Sequence, residues 1–147
     1  MTEIGRTCAC LHTRMAAREI TRFYAAAIRP AGLEATRFSL LGALAVGGAP
    51  SVARLAERLA IERTALLRNL KLLVRDGLIA PDEASGKGVA YRLTASGEAA
   101  LRRAIPLWRE AQGRVEAALG AKGLSAYRGS LRDLRHALRA PTGAAAP

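Results

Sequence analysis

Apolar residues recur at helical spacing along most of this 147-residue chain and at strand spacing over only one short stretch. Leu11, Met15, Ile20, Tyr24, Ala27 and Ile28 give residues 8 to 29 an apolar side, and Pro30 with the Gly32 turn ends that helix. Residues 34 to 46 form a second helix that brings Phe38, Leu41 and Leu44 to the same core, before Gly47-Gly48-Ala49-Pro50 breaks the chain. Ser51 is an N-cap for a helix bearing Val52, Leu55, Ala56 and Leu59. Ala60 to Glu62 make a turn. From Arg63 the period restarts with Leu66, Leu70 and Leu73, and Asp76-Gly77 stops it, Gly77 suiting the left-handed position after a last turn.

Two β-type runs follow, Leu78-Ile79-Ala80 and Val89 to Leu93, joined by the polar, glycine-containing loop Pro81 to Gly88. Thr94 caps a long helix from about Ala95 to Leu119, striped by Leu101, Ala104, Ile105, Trp108, Ala111, Val115 and Leu119, with Pro106 inside it as an expected kink. Gly120 to Gly123 ends it, and Leu124, Tyr127, Leu131, Leu134 and Leu138 mark a last helix. The pattern predicts a mainly α fold with a small β-hairpin wing. Residues 47–94 form a winged helix-turn-helix lobe, 8–46 and 95–139 a helical dimerisation region, and 140–147 a disordered tail, all within one domain, 1–147.

The polar side of the second short helix carries the functional signal. At about 100° per residue, Thr64, Arg68, Lys71 and Arg75 fall on one stripe pointing away from Leu66, Leu70 and Leu73. A solvated helix face mixes signs for pairing, whereas a helix laid among phosphates needs donors of one sign. Arg63 at the helix start and Lys87 at the tip of the hairpin loop extend the set. Arg68 and Thr64 are placed for base edges; Lys71, Arg75 and Lys87 are placed for phosphates or a groove entered by the wing.

Charge supports a polyanionic partner without locating it, because the net +11 is spread along the chain. Only 4% of residues are aromatic, so the core is built from Leu, Ala, Ile and Val. No apolar run reaches the ~18 to 20 residues of a membrane span. MTEIGRTCAC has no signal-peptide core, so a cytoplasmic protein with no membrane partner is expected. With two histidines, no glycine-rich phosphate loop and no carboxylate pair near a histidine, no catalytic set assembles and no cofactor is called for.

The stretch VARLAERLAIERTALLRNLKLLVRDGLI, with YRLTASG after it, resembles the DNA-binding lobe of the MarR family of bacterial transcriptional regulators. The resemblance extends more weakly over nearly the whole chain. It implies a triangular homodimer on a roughly palindromic duplex. The family's wing carries Asp, one residue, then Arg; Ser85 and Lys87 stand there, keeping the charge and losing the Asp. The alternative reading is an architectural DNA-binding protein without sequence preference or effector.

Three switches are open. A thiol of Cys8 or Cys10 acts as a redox sensor, Arg6, Arg14 and a helix N-terminus favouring the thiolate that peroxides attack. Cys10, Arg18, Thr21, Arg22 and Tyr24 resemble in spacing the N-terminal helix of the family's organic-hydroperoxide-sensing branch. The resemblance implies Cys10 as sensor and Tyr24 as its hydrogen-bond partner, while that branch's second tyrosine falls on Ala35. Alternatively Cys8, Cys10 and His12 hold a soft metal, although on a regular helix the two thiols point about 200° apart. In the third reading a small aromatic or phenolic molecule lies in a pocket lined by Arg14, Arg18, Tyr24, Phe38 and Trp108.

Overall fold

The structure, a computed structural model, describes residues 3–47, 51–82 and 90–139. Among these the order is α1 (Glu3–Thr7), α2 (Ala9–Ile28), a 3-10 turn (Arg29–Ala31), α3 (Ala35–Gly47), α4 (Val52–Leu59), α5 (Arg63–Arg75), β1 (Ile79–Asp82), β2 (Ala90–Leu93) and α6 (Ala95–Ala137). The mainly helical fold with one antiparallel hairpin is the winged helix-turn-helix that the hydrophobic pattern predicts. The chain divides into two compact units, 1–108 and 109–147.

In the first unit the core is aliphatic. Ile28 from α2, Leu40 and Leu41 from α3, Leu55 from α4, Leu66, Leu70 and Leu73 from α5 and Ile79 from β1 are each at most 2% exposed. No polar side chain is buried among the described residues, so hydrophobic burial holds this unit together. Ser51 caps α4 as expected, its Oγ accepting the Arg54 N–H at 3.4 Å. Ala60 then takes a left-handed conformation, φ 53°, which turns the chain into α5. Glu62, placed by sequence in the turn, is itself the N-cap of α5: its Oε2 accepts the Ala65 N–H at 2.9 Å.

Gly77, at φ 69°, ends α5 as predicted. The next contact explains why Leu93-Thr94, then two residues, then Gly97 stand together in the YRLTASG stretch. The Thr94 hydroxyl donates to the Gly77 carbonyl at 2.6 Å and accepts the Gly97 N–H at 3.1 Å. The Thr94 N–H donates to Leu78 O at 3.1 Å. One residue therefore caps α6 and fastens its start to the corner that closes α5. The hairpin pairs Ile79 with Leu93 and Asp82 with Ala90. β1 runs to Asp82 rather than stopping at Ala80, and Leu78 stays outside the ladder because its backbone serves this corner.

Two further expectations change. The first long helix starts at Ala9, not Cys8, because Cys8 is its extended N-cap, the thiol accepting the Leu11 N–H at 3.5 Å; the short α1 precedes it. Pro106 leaves helical backbone angles in place, and the break inside α6 is at Gly120, φ 71° and ψ 156°. Pro106 and Arg102, whose carbonyl loses its partner, are both exposed, so water can serve that carbonyl. Gly120 takes a conformation open essentially to glycine alone. In the second unit Leu119, Leu134 and Leu138 are 48%, 40% and 77% exposed.

Candidate nucleic-acid interface

The α5 helix separates its two faces cleanly. Leu66, Leu70 and Leu73 are 0% exposed, while Arg63, Thr64, Arg68, Lys71 and Arg75 are all on the surface. Arg63, Arg68 and Lys71 form no ion pair among the described residues, which leaves their donors for a ligand. Arg75 differs: its Nε donates to Asp76 Oδ1 at 2.9 Å, so part of its charge is balanced within the chain. Thr64 lies beside the Glu62 cap. Glu62 is held below the usual carboxylate range by the backbone N–H of Thr64, then that of Ala65, with the Thr64 hydroxyl adding to them. Lys87 and Ser85, with the rest of 83–89, lie outside the described residues.

Asp76, at the end of the same helix, brings in a residue that the sequence reading missed. Arg37 Nη1 of α3 donates to Asp76 Oδ2 at 2.8 Å, and both side chains are about three-quarters buried, at 24% and 28% exposure. The Arg75 side chain, then Arg37, keep the Asp76 carboxyl below its ordinary value. Nothing local signals this pair, because its members stand 39 positions apart.

A cavity of about 380 Å³ opens within the first unit. Ile20, Thr21, Tyr24 and Ile28 of α2, Ala35, Thr36, Phe38 and Ser39 of α3, and Trp108 of α6 line it. The Phe38 and Trp108 rings lie 6.3 Å apart at 32°. Tyr24, Phe38 and Trp108, three of the five predicted lining residues, are thus brought together. Arg14 and Arg18 are not in the lining: both lie further toward the start of α2, and Arg18 borders a separate shallow groove with Ala17, Thr21 and Arg22. Burial raises the Tyr24 hydroxyl above its ordinary pKa.

The thiols are divided. Cys8 is half-buried and engaged as a cap, and Cys10 is exposed. Cys10 and Tyr24 share α2, and 14 positions at 1.5 Å put them roughly 21 Å apart along its axis. They cannot touch within one chain. Cys8, Cys10 and His12 do not assemble a metal-binding set, because the thiol of Cys8 turns to the helix end; among the described residues no group of three or more His, Cys, Asp or Glu is placed to hold an ion. No described helix is long and apolar enough to cross a membrane.

A helix-turn-helix domain model matches residues 33–82, from before α3 through β1. No curated protein matches the chain. Among solved structures, the transcriptional regulator MosR of M. tuberculosis is 38% identical, with 89% of this chain and 95% of that chain covered and a TM-score of 0.78. The same regulator in complex with DNA matches at 38% identity over 90% and 99% of the two chains, TM-score 0.77. A MarR family protein of M. tuberculosis in complex with DNA is 28% identical over 87% and 97%, TM-score 0.63.

Proposed function

Because the chain belongs to the MarR family of transcriptional regulators, we propose that it is a sequence-specific DNA-binding repressor, acting as a homodimer and released by a small-molecule or redox signal. The observation that carries the reading is the exposed stripe of Thr64, Arg68, Lys71 and Arg75 on a helix whose other face is fully buried. A rigid helix presenting donors of one sign fits a major groove. Relatives of 38% and 28% identity that are described in complex with DNA support it.

Dimerisation follows from what remains uncovered. Met15 of α2 is 54% exposed, and Leu119, Leu134 and Leu138 of α6 remain exposed as well. A second copy covers such apolar side chains and sets two recognition helices to successive major grooves, about 34 Å apart, on a roughly palindromic site.

For the signal, the cavity supports a small aromatic ligand: its walls are apolar, with aromatic side chains and the hydroxyls of Thr21, Tyr24, Thr36 and Ser39. Thiol sensing at the exposed Cys10 is the second reading. A Cys10 to Tyr24 hydrogen bond would have to form between two chains.

Fluorescence anisotropy on the protein's own upstream intergenic DNA and on a scrambled duplex tests the function. Arg68→Ala is expected to narrow the gap between the two DNAs. Lys71→Ala is expected to weaken both alike and to lower the slope of log affinity against log salt by about 1. Equal affinity of the unaltered protein for the two duplexes would favour the architectural alternative. Loss of binding on stoichiometric organic peroxide, abolished by Cys10→Ser, would establish the thiol switch; indifference to peroxide would leave the cavity as the sensor.

A further inference from the structure

We propose that Arg37 is the positioning residue through which the state of the cavity reaches the recognition helix. The inference rests on the reading of the cavity as an effector site. At about 100° per residue, the residues of α3 that line the cavity, Ala35, Thr36, Phe38 and Ser39, centre on one side of the helix, and Arg37 projects from the opposite side. That opposite side is where Arg37 grips Asp76 at 2.8 Å, at the last turn of α5. The α3 helix is therefore a strut, with the ligand space against one flank and the end of the recognition helix bonded to the other.

The two attachments of that corner differ in stiffness. On the α6 side, Gly97 and Thr94 hold the backbone of Gly77 and Leu78 with no slack, since a Cβ at Gly97 would meet Leu78 O at 2.0 Å. On the α3 side, the polar hold on this corner is one ion pair between two flexible, partly buried side chains, beside the apolar core that α3 shares with α5. The first attachment is a fulcrum and the second a lever arm. Thirteen residues make α5 about 20 Å long, so a small tilt at Gly77 is amplified at the helix start, where Thr64 is the far end of the DNA-facing stripe. A ligand that presses on Phe38 or Ser39 moves Arg37 with α3, and Asp76 follows or is released.

A double-mutant cycle on DNA affinity tests this without a known ligand. Ser39→Trp fills the cavity from α3, and Ala35→Phe fills it from the preceding turn should the first variant fold poorly. Arg37→Gln cuts the strut. Operator duplex is obtained by selection from a random library, and thermal unfolding confirms that each variant is folded. The filling variant alone is expected to lower operator affinity at least about fivefold, and in the Arg37→Gln background to change it by less than about twofold. The exchanged pair, Arg37→Asp with Asp76→Arg, should restore the full response to filling.

Equal losses in both backgrounds would overturn the role of Arg37 and leave the cavity reading standing. If folded filling variants bind operator as tightly as the unaltered protein, the cavity does not control the DNA lobe, and both readings fall. Failure of the exchanged pair to restore the response would also count against the strut.

Discussion

The carbonyl of Leu78 occupies the space that a side chain at Gly97 would need: a Cβ there would lie 2.0 Å from the oxygen and 3.0 Å from its carbon. Neither neighbour is a flexible side-chain end, so backbone must move. Gly97→Ala is expected to cost about 3 kcal/mol or more, read as a lowered urea midpoint with an unchanged slope. Thr94→Ala, which removes the cap and the bond to Gly77, should cost about 1 to 2 kcal/mol, and Thr94→Ser should recover most of it.

Asp76 gives the stability a pH dependence of defined sign. Its carboxyl titrates below its ordinary value in the folded chain, because the side chains of Arg75 and Arg37 hold the charged form. The unfolded state therefore binds the proton first. The stabilisation is present above the ordinary aspartate value of 3.8 and is lost as pH falls through the lower folded value. In Arg37→Gln the urea midpoint should fall less steeply over that acid range than in the unaltered protein; parallel curves would show that the pair contributes nothing.

Ala60 holds φ 53° at an exposed position, where an L side chain is strained and glycine is not. Ala60→Gly should raise stability by roughly 1 kcal/mol, visible as a higher melting temperature. A decrease would mean that the greater freedom of glycine in the unfolded chain outweighs the relief of strain.

Leu134 is 40% exposed on the same helical stripe as Leu131 and Leu138. In a homodimer that buries it, Leu134→Glu places a charge in an apolar interface. Sedimentation should then show monomer, with operator affinity falling by at least about tenfold, since one recognition helix in place of two loses the linked second contact. An unchanged dimer would move the interface elsewhere.

The parts of the molecule legible in the sequence are those governed by local spacing. The α5 period, the Ser51 cap, the Gly77 stop and the outward cations all follow from residues within a turn or two of one another. What was not legible depends on distance or on competition. Arg37 and Asp76 meet only because the fold gathers α3 and the corner that ends α5 around one core. Glu62 reads as a turn residue until Ala60 adopts its left-handed conformation and lets the carboxylate fold back onto α5. Pro106 reads as a kink, but its freed carbonyl partner faces water. Arg14 and Arg18 share a helix with Tyr24, and shared sequence proximity was not enough to bring them to its cavity.

The carboxylate of Glu62 also sets a rule of approach. The start of a helix is ordinarily a ready socket for a phosphate, and here the chain's own acid already fills it. On the proposed DNA-binding reading, an incoming duplex meets amides already capped by Glu62 at the tip of α5, with Arg63 beside them, and positive charge along the flank. On that reading the helix then lies against the groove by its side, so that base readout falls to Thr64 and Arg68 and phosphate contact to Lys71, rather than to backbone amides that would greet any phosphate alike.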